Sequence, residues 1–105
     1  MKQLVVINDV SADRDILAIL DAAGIVYRTR YTRCTGAGPR TGPREDTHIW
    51  PGYNVMTIAV VEDALAQKAM AAIQAFRDSP GHAQTGVFAY VTPVDAVLPV
   101  PRPRE

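Results

Sequence analysis

The chain has 105 residues, 48% of them apolar, and eleven basic residues balance eleven acidic ones. That length admits one domain with a core of its own, and the balanced charge gives no global field to draw in nucleic acid or a membrane. A single cysteine, Cys34, excludes a disulfide framework and a thiol-based metal cluster; the apolar run in MKQLVVINDV is too short for a signal peptide or a membrane span, so a reduced, cytoplasmic setting is expected.

Gln3 to Ile7 is a nearly continuous apolar run, as a central strand buried on both faces requires. Asn8 and Asp9 end it, and Ser11 is the expected N-cap of a helix over 12–23, where Ile16, Leu17, Leu20 and Ala23 share one face. Gly24 stands where a helix C-terminus takes a left-handed residue. The alternation over 25–31 predicts a second strand, with Tyr27, Thr29 and Tyr31 on one face and Val26, Arg28 and Arg30 on the other.

The stretch from Arg33 to Asn54, RCTGAGPRTGPREDTHIWPGYN, has neither the helical nor the strand period. Gly36, Gly38, Gly42 and Gly52 alternate with Pro39, Pro43 and Pro51, so no regular element is expected to run through it. A linker would leave two pieces too small to hold a core, and a long loop inside a small domain points to function. Tyr53 to Val61 reads as the returning strand. Glu62 and Asp63 open a second helix, whose apolar stripe is Leu65, Ala69, Ala72, Ile73 and Phe76. Asp78-Ser79-Pro80-Gly81 breaks it; a short loop over 82–86 then leads into a strand over 87–91. Residues 92–97 suit a turn or a short extra strand, and the proline-rich tail 98–105 is extended or disordered.

The order is β-α-β-β-α-β, an α+β ferredoxin-like sandwich with a long loop, about 32–54, between strands two and three. Two helices cover one face of a four-stranded sheet. The strands carry apolar residues on the other face as well, so self-association into a closed ring is expected.

Chemistry-bearing residues gather in the loops. Five of the nine arginines lie between Arg28 and Asp46, and their planar forks suit carboxylate, carbonate or phosphate. Gly36-Ala37-Gly38 followed by Pro39-Arg40 offers backbone N–H groups to an anion, and Thr85-Gly86 forms a second glycine-bearing loop. Neither is a Walker A loop or a dinucleotide fingerprint. Cys34 and His48 are potential metal ligands whose spacing repeats nowhere, so no metal is expected. No Ser/His/Asp or Cys/His set has meaningful spacing, and Glu45 and Asp46 sit side by side in a loop that cannot hold an acid-base pair still. Trp50 suits either stacking on a ligand or anchoring the loop. No enzyme is expected.

These elements together resemble the PII signalling proteins, trimeric ferredoxin-like domains with a long T-loop between strands two and three. The resemblance covers residues 1–97, leaving 98–105 as a tail. It rests on Gly24-Ile25 after the first helix, Thr29 on the second strand, the loop position, a short B-loop from Ser79 to Gly86 before Phe88, and the exit Pro93-Val94-Asp95-Ala96-Val97. Some positions depart from the family pattern. The T-loop base reads Thr35-Gly36-Ala37-Gly38-Pro39-Arg40, with the basic residue displaced; Gly86 stands where the family has Lys; Leu98 and Val100 replace two arginines, with Arg102 and Arg104 as stand-ins. These departures, with the short Pro- and Arg-rich loop, resemble the PII-like branch associated with carboxysomes and inorganic-carbon uptake.

The resemblance implies a homotrimeric sensor, without a cofactor, that binds ADP, AMP or ATP between subunits, with bicarbonate as second ligand. By position it assigns the nucleotide to Thr29, Gly36, Gly38, Val60, His82, Thr85, Gly86, Val87 and Arg102, and the small anion to Tyr31, Arg33 and Arg40. Ligand binding would order the T-loop and so favour or block a protein target, for which the branch suggests a bicarbonate transporter. The alternative within the family is a nitrogen-regulatory ATP/ADP sensor. Two rival classes share the element order. RNA-recognition domains need aromatics on the central strands, and Leu4 to Ile7 and Val55 to Val61 have none. An acylphosphatase-like hydrolase using Asn8 and Arg33 rests on fold analogy alone.

Overall fold

Lys2–Asp9 forms β1, the strand on which the sheet is built. In the computed structural model the described residues are 1–38, 42–44, 53–82 and 85–99. β1 pairs antiparallel on one side with β5 (Asn54–Val61) and on the other with β6 (Val87–Pro93), while β2 (Thr29–Cys34) pairs with β5. The sheet order is β2-β5-β1-β6. With α1 (Asp13–Ala22) and α2 (Asp63–Asp78) on one face, this is the ferredoxin-like sandwich expected from the sequence.

The alternation of β1 sorts its side chains. Leu4 and Val6 join Ile16 and Leu20 of α1, Ala66, Ala69 and Ile73 of α2, and Ala59 and Val61 of β5 in one buried cluster. Phe76 and Leu65 of the expected helix stripe pack at its margin. On the opposite face Val5, Ile7, Met56, Ile58, Val60, Phe88 and Tyr90 line up across the three central and edge strands, as the pairings Val5↔Ile58, Val5↔Tyr90, Ile7↔Met56 and Ile7↔Phe88 require. Val60, Phe88 and Tyr90 are exposed there, Phe88 by 61%.

Three local expectations need correction. The first helix is capped not by Ser11 but from one turn earlier. Asp9 accepts the Ser11 N–H at 3.1 Å and so caps a 3₁₀ turn, Val10–Ala12, that runs into α1. The second strand starts at Thr29 rather than at residue 25. The helix end takes the intervening residues first: Gly24 adopts φ +85°, its N–H donates to Asp21 O at 3.0 Å, and the Ile25 N–H donates to Leu20 O at 2.9 Å. That is a Schellman stop, and its hydrophobic contact is Ile25 on Leu20, both buried in the core. Arg28 then reaches back to Asp21 and to Ile25 O, each at 2.8 Å, and strand pairing begins only beyond it.

The third correction concerns the long loop. Its base is regular: β3 (Gly36–Gly38) and β4 (Gly42–Arg44) form a short antiparallel ribbon, with Ala37 opposite Pro43. Backbone pairing needs no side-chain period, so a glycine-rich ribbon leaves no alternation to read. Residues 39–41 and 45–52, with His48, Glu45, Asp46 and Trp50, lie outside the described residues, as does the end of the tail from 100 onward.

The Schellman stop is directly testable. A Cβ on Gly24 would meet nothing within 4 Å, so the only penalty for Gly24→Ala is the left-handed backbone. The expected loss is about 1 kcal/mol in urea unfolding, with Gly24→Asn costing less; an unchanged midpoint for the alanine variant would refute the assignment.

Candidate functional site

The ladder of β1 runs out at Asp9, and both loop bases attach there. The Asp9 N–H donates to Gly86 O at 2.7 Å, and the Val10 N–H donates to Tyr53 O at 3.0 Å. The end of the central strand therefore carries the last residue of the short loop on one side and the returning end of the long loop on the other.

The outgoing end of the long loop is fastened to the same place by side chains. The β2–β5 register shifts between Tyr31 and Cys34, so Thr32 and Arg33 form a bulge opposite Val55. The Arg33 guanidinium carbon lies 4.2 Å from the centroid of the Tyr53 ring. Cys34 pairs with Asn54, and its Sγ donates to Asn54 O at 3.1 Å. Gly36 follows against the same residue, where a Cβ would come within 2.6 Å of Asn54 Nδ2 and turn that side chain aside. Burial pushes the Cys34 thiol up from its ordinary value, which favours the protonated, weakly reactive form.

Beneath this end of the sheet runs a polar network. Asn8 is fully buried, and its Nδ2 donates to Asp9 O at 3.0 Å and to Asp13 Oδ1 at 3.4 Å. Arg30 bridges Asp13 on α1 and, through Nε, the Thr57 hydroxyl at 3.2 Å on β5. Thr57 is itself buried, and Asn8 Oδ1 has no partner among the described residues. Arg30 thus ties the edge strand β2 to α1 and β5 across the helix-facing side of the sheet.

Of the residues singled out in the sequence, Gly86, flanked by Thr85 and Val87, is tied to Asp9, Arg33 lies over Tyr53, Gly36 follows against Asn54, and Gly38 stands further out along the ribbon opposite Gly42. The Thr85 N–H donates to His82 O at 3.0 Å, which closes the turn before Gly86. His82 turns its ring toward α2, at 4.4 Å from Phe76, and Val87 packs its side chain toward the core. Thr29 and Tyr31 lie on the open sheet face opposite Ile58 and Met56. Val60 shares that face but stands opposite Gln3, at the far end of the strand. Six residues of strand separate it from the loop end, about 20 Å. Arg40 and Arg102 fall outside the described residues. Sequence reasoning assigned no site role to Tyr53 and Asn54, whose part depends on what stands across the strand pair. A large groove of about 550 Å³ lies elsewhere, between α2 and β6, lined by Met70, Arg77, Val87 and Val91 among others. It includes one residue of the expected site, Val87, and is not where the loops converge.

No protein family matches the chain by sequence, and no curated protein does either. Solved structures do match in fold. CPII, a nitrogen regulatory PII-like protein from Thiomonas intermedia K12, was solved bound to ADP, AMP and bicarbonate; it is 23% identical, with a TM-score of 0.66, over 90% of this chain and 88% of its own. The chain has the PII-like fold. CPII bound to ADP, AMP and acetate aligns with a TM-score of 0.59 at 19% identity, over 86% of this chain and 81% of that one. A PII-like signalling protein from Thermus thermophilus gives a TM-score of 0.57 at 15% identity, over 87% and 83% of the two chains. Among the described residues no cluster of His, Cys, Asp and Glu is arranged to hold a metal, and no helix is long and apolar enough to cross a membrane.

The Arg30 bridge generates a stability prediction. Arg30→Met keeps the stem and removes the fork, leaving Asp13 and Asn8 beside each other with one donor fewer. The expected cost is about 1–3 kcal/mol in urea unfolding, and a loss below about 0.5 kcal/mol would show the bridge to be a surface pair in energy.

Proposed function

We propose that the chain is a PII-like sensor that binds an adenine nucleotide, ADP or AMP, together with bicarbonate between subunits of a homotrimer. Residues 1–97 form the sensor domain and 98–105 a tail. The observation that carries the reading is the convergence of two glycine-bearing loop bases on the Asp9–Val10 end of β1, in a PII-like fold. Loop backbone at such a place presents N–H groups to phosphate oxygens. The B-loop, Thr85 and Gly86 with His82 and the Val87 backbone, is the proposed phosphate side, with Gly36 and Gly38 facing it; Thr29, on the open face opposite Ile58, is the proposed contact further along the nucleotide.

The anion belongs to the arginines. Bicarbonate and acetate, the small anions in the CPII structures, are both planar and Y-shaped, and a guanidinium fork matches that shape with two parallel N–H···O bonds. Arg33 is the proposed first contact, with Tyr31 nearby and Arg40 closing from the loop. Arg102 approaches the nucleotide from the tail. Without the family's lysine at position 86, fewer cations face a third phosphate, which favours ADP and AMP over ATP.

The open sheet face and the position of Val60 support the trimer. In one chain Val60 stands at the opposite end of β5 from the loop bases, so it lines an adenine pocket only when a neighbouring subunit brings that end to its partner's loops. Association covers the apolar face and completes the site in one step. Ligand then orders the T-loop, and the ordered loop meets or leaves a protein target in inorganic-carbon metabolism or transport.

Calorimetric titration tests the ligands. ADP and AMP are expected to bind, bicarbonate to tighten binding, and Arg33→Ala to abolish that tightening; if no adenine nucleotide binds with or without bicarbonate, the reading is wrong. Light scattering tests the assembly. The wild-type mass is expected to be three times that of one chain, and Phe88→Asp, which sets a charge on the open face, is expected to shift it toward the single chain; a wild-type monomer would overturn the intersubunit site.

A further inference from the structure

The contact between Arg33 and Tyr53 carries more than loop packing. Stacking uses the face of a guanidinium, whereas an oxyanion is held by the N–H groups along its edge, so one arginine serves both partners at once. Arg33 lies in the β2 bulge, where the ladder does not fix its direction. The guanidinium lies over the Tyr53 ring, its carbon 4.2 Å from the centroid, and the ring face restricts how the fork can turn. The same residue is tied through its main chain: Tyr53 O accepts from the Val10 N–H, and the preceding residue, Asp9, donates its N–H to Gly86 O. Two hydrogen bonds, at 3.0 and 2.7 Å, and the Asp9 main chain between them join the base of Tyr53 to the short loop.

We infer that Tyr53 is a positioning residue that couples a planar oxyanion held by Arg33 to the nucleotide loop at Gly86. The inference rests on the ligand reading above and deepens it. An anion that fixes Arg33 fixes the plane of the Tyr53 ring; this steadies the Tyr53 carbonyl and, through Val10 and Asp9, the Gly86 end of the loop that faces the phosphates. Coupling of this kind is reciprocal, so nucleotide at Gly86 also tightens the anion.

The test is the ratio of ADP dissociation constants without and with bicarbonate, measured by titration calorimetry on the full chain. Tyr53→Phe keeps the aromatic face and the carbonyl, and the wild-type ratio is expected to survive. Tyr53→Leu and Tyr53→Asn, one apolar and one polar, keep only the carbonyl. In both, the ratio is expected to fall to near one, from about fivefold or more in the wild type. Circular dichroism melts on each variant confirm that a lost ratio is not a lost fold. A wild-type ratio in either folded variant without the ring overturns the inference and leaves the ligand reading intact. Loss in Tyr53→Phe also overturns it, since the hydroxyl would then be the acting group. ADP binding with no bicarbonate response in the wild type removes the ligand reading, and the coupling with it.

Discussion

The backbone N–H groups of Asp9 and Val10 hold the two loops of this protein in relation to each other. A central strand has partners on both sides, and where its ladder stops its donors still need acceptors. Here they find Gly86 O and Tyr53 O. Each bond is ordinary in strength, about 1 kcal/mol net, but their placement decides the geometry. One strand end fixes where the short loop finishes and where the long loop returns, so the two cannot shift independently. The glycines follow from this constraint. Gly36 lets the outgoing strand pass flush against Asn54, and the ribbon beyond it, Gly36–Gly38 on Gly42–Arg44, needs little more than backbone.

The edge strand β2 is the weak member of the sheet, and side chains make up for its short ladder. It pairs in register over Thr29, Arg30 and Tyr31, then bulges before Cys34 rejoins Asn54. Arg30 points to the helix side, where Asp13 and Thr57 hold it over a buried asparagine. Arg33, in the bulge, lies over the Tyr53 ring at the strand's loop end. A bulge re-aims side chains that a regular strand would alternate, and it gives these two arginines different work. Arg30 anchors the strand, while Arg33 is offered to the loop end of the sheet. Arg28, which the alternation grouped with Arg30, does neither, because it closes the end of α1.

The element order, both helices and the sheet were legible because period and burial agree in them. Leu4 and Val6 are apolar and buried, and Ile16, Leu20 and Ile73 recur at helical spacing toward them. What failed were the joints. The alternation over 25–31 is real in the sequence, yet Ile25 is taken by the Schellman stop and Arg28 by Asp21, so a strand pattern ends as a helix terminus. The Ser11 cap yielded to Asp9 for the same reason: two good capping residues stood two apart, and the turn geometry chose the earlier. In the candidate site the glycines and Arg33 could be read from composition. Tyr53 and Asn54 could not, because their part is set by register across twenty residues of intervening chain and leaves no local mark.

In the proposed trimer the open face of the sheet ties assembly to the site. Val5 is buried on that face by its own neighbours, but Phe88, Tyr90, Val60 and Tyr31 remain exposed along it. An apolar face of this extent is stable in water when a partner covers it. On the same face Tyr31 and Thr29 stand opposite Met56 and Ile58, with Val60 two residues further along β5. It is from the loop bases that Val60 is far, six residues or about 20 Å along β5, and in the proposed trimer packing of like faces around a closed axis brings that end to a neighbour's loops. Burial of Phe88 and assembly of a binding cleft would then be one event. A substitution that loosens the face should weaken ligand without touching it, and ligand should in turn hold the subunits together.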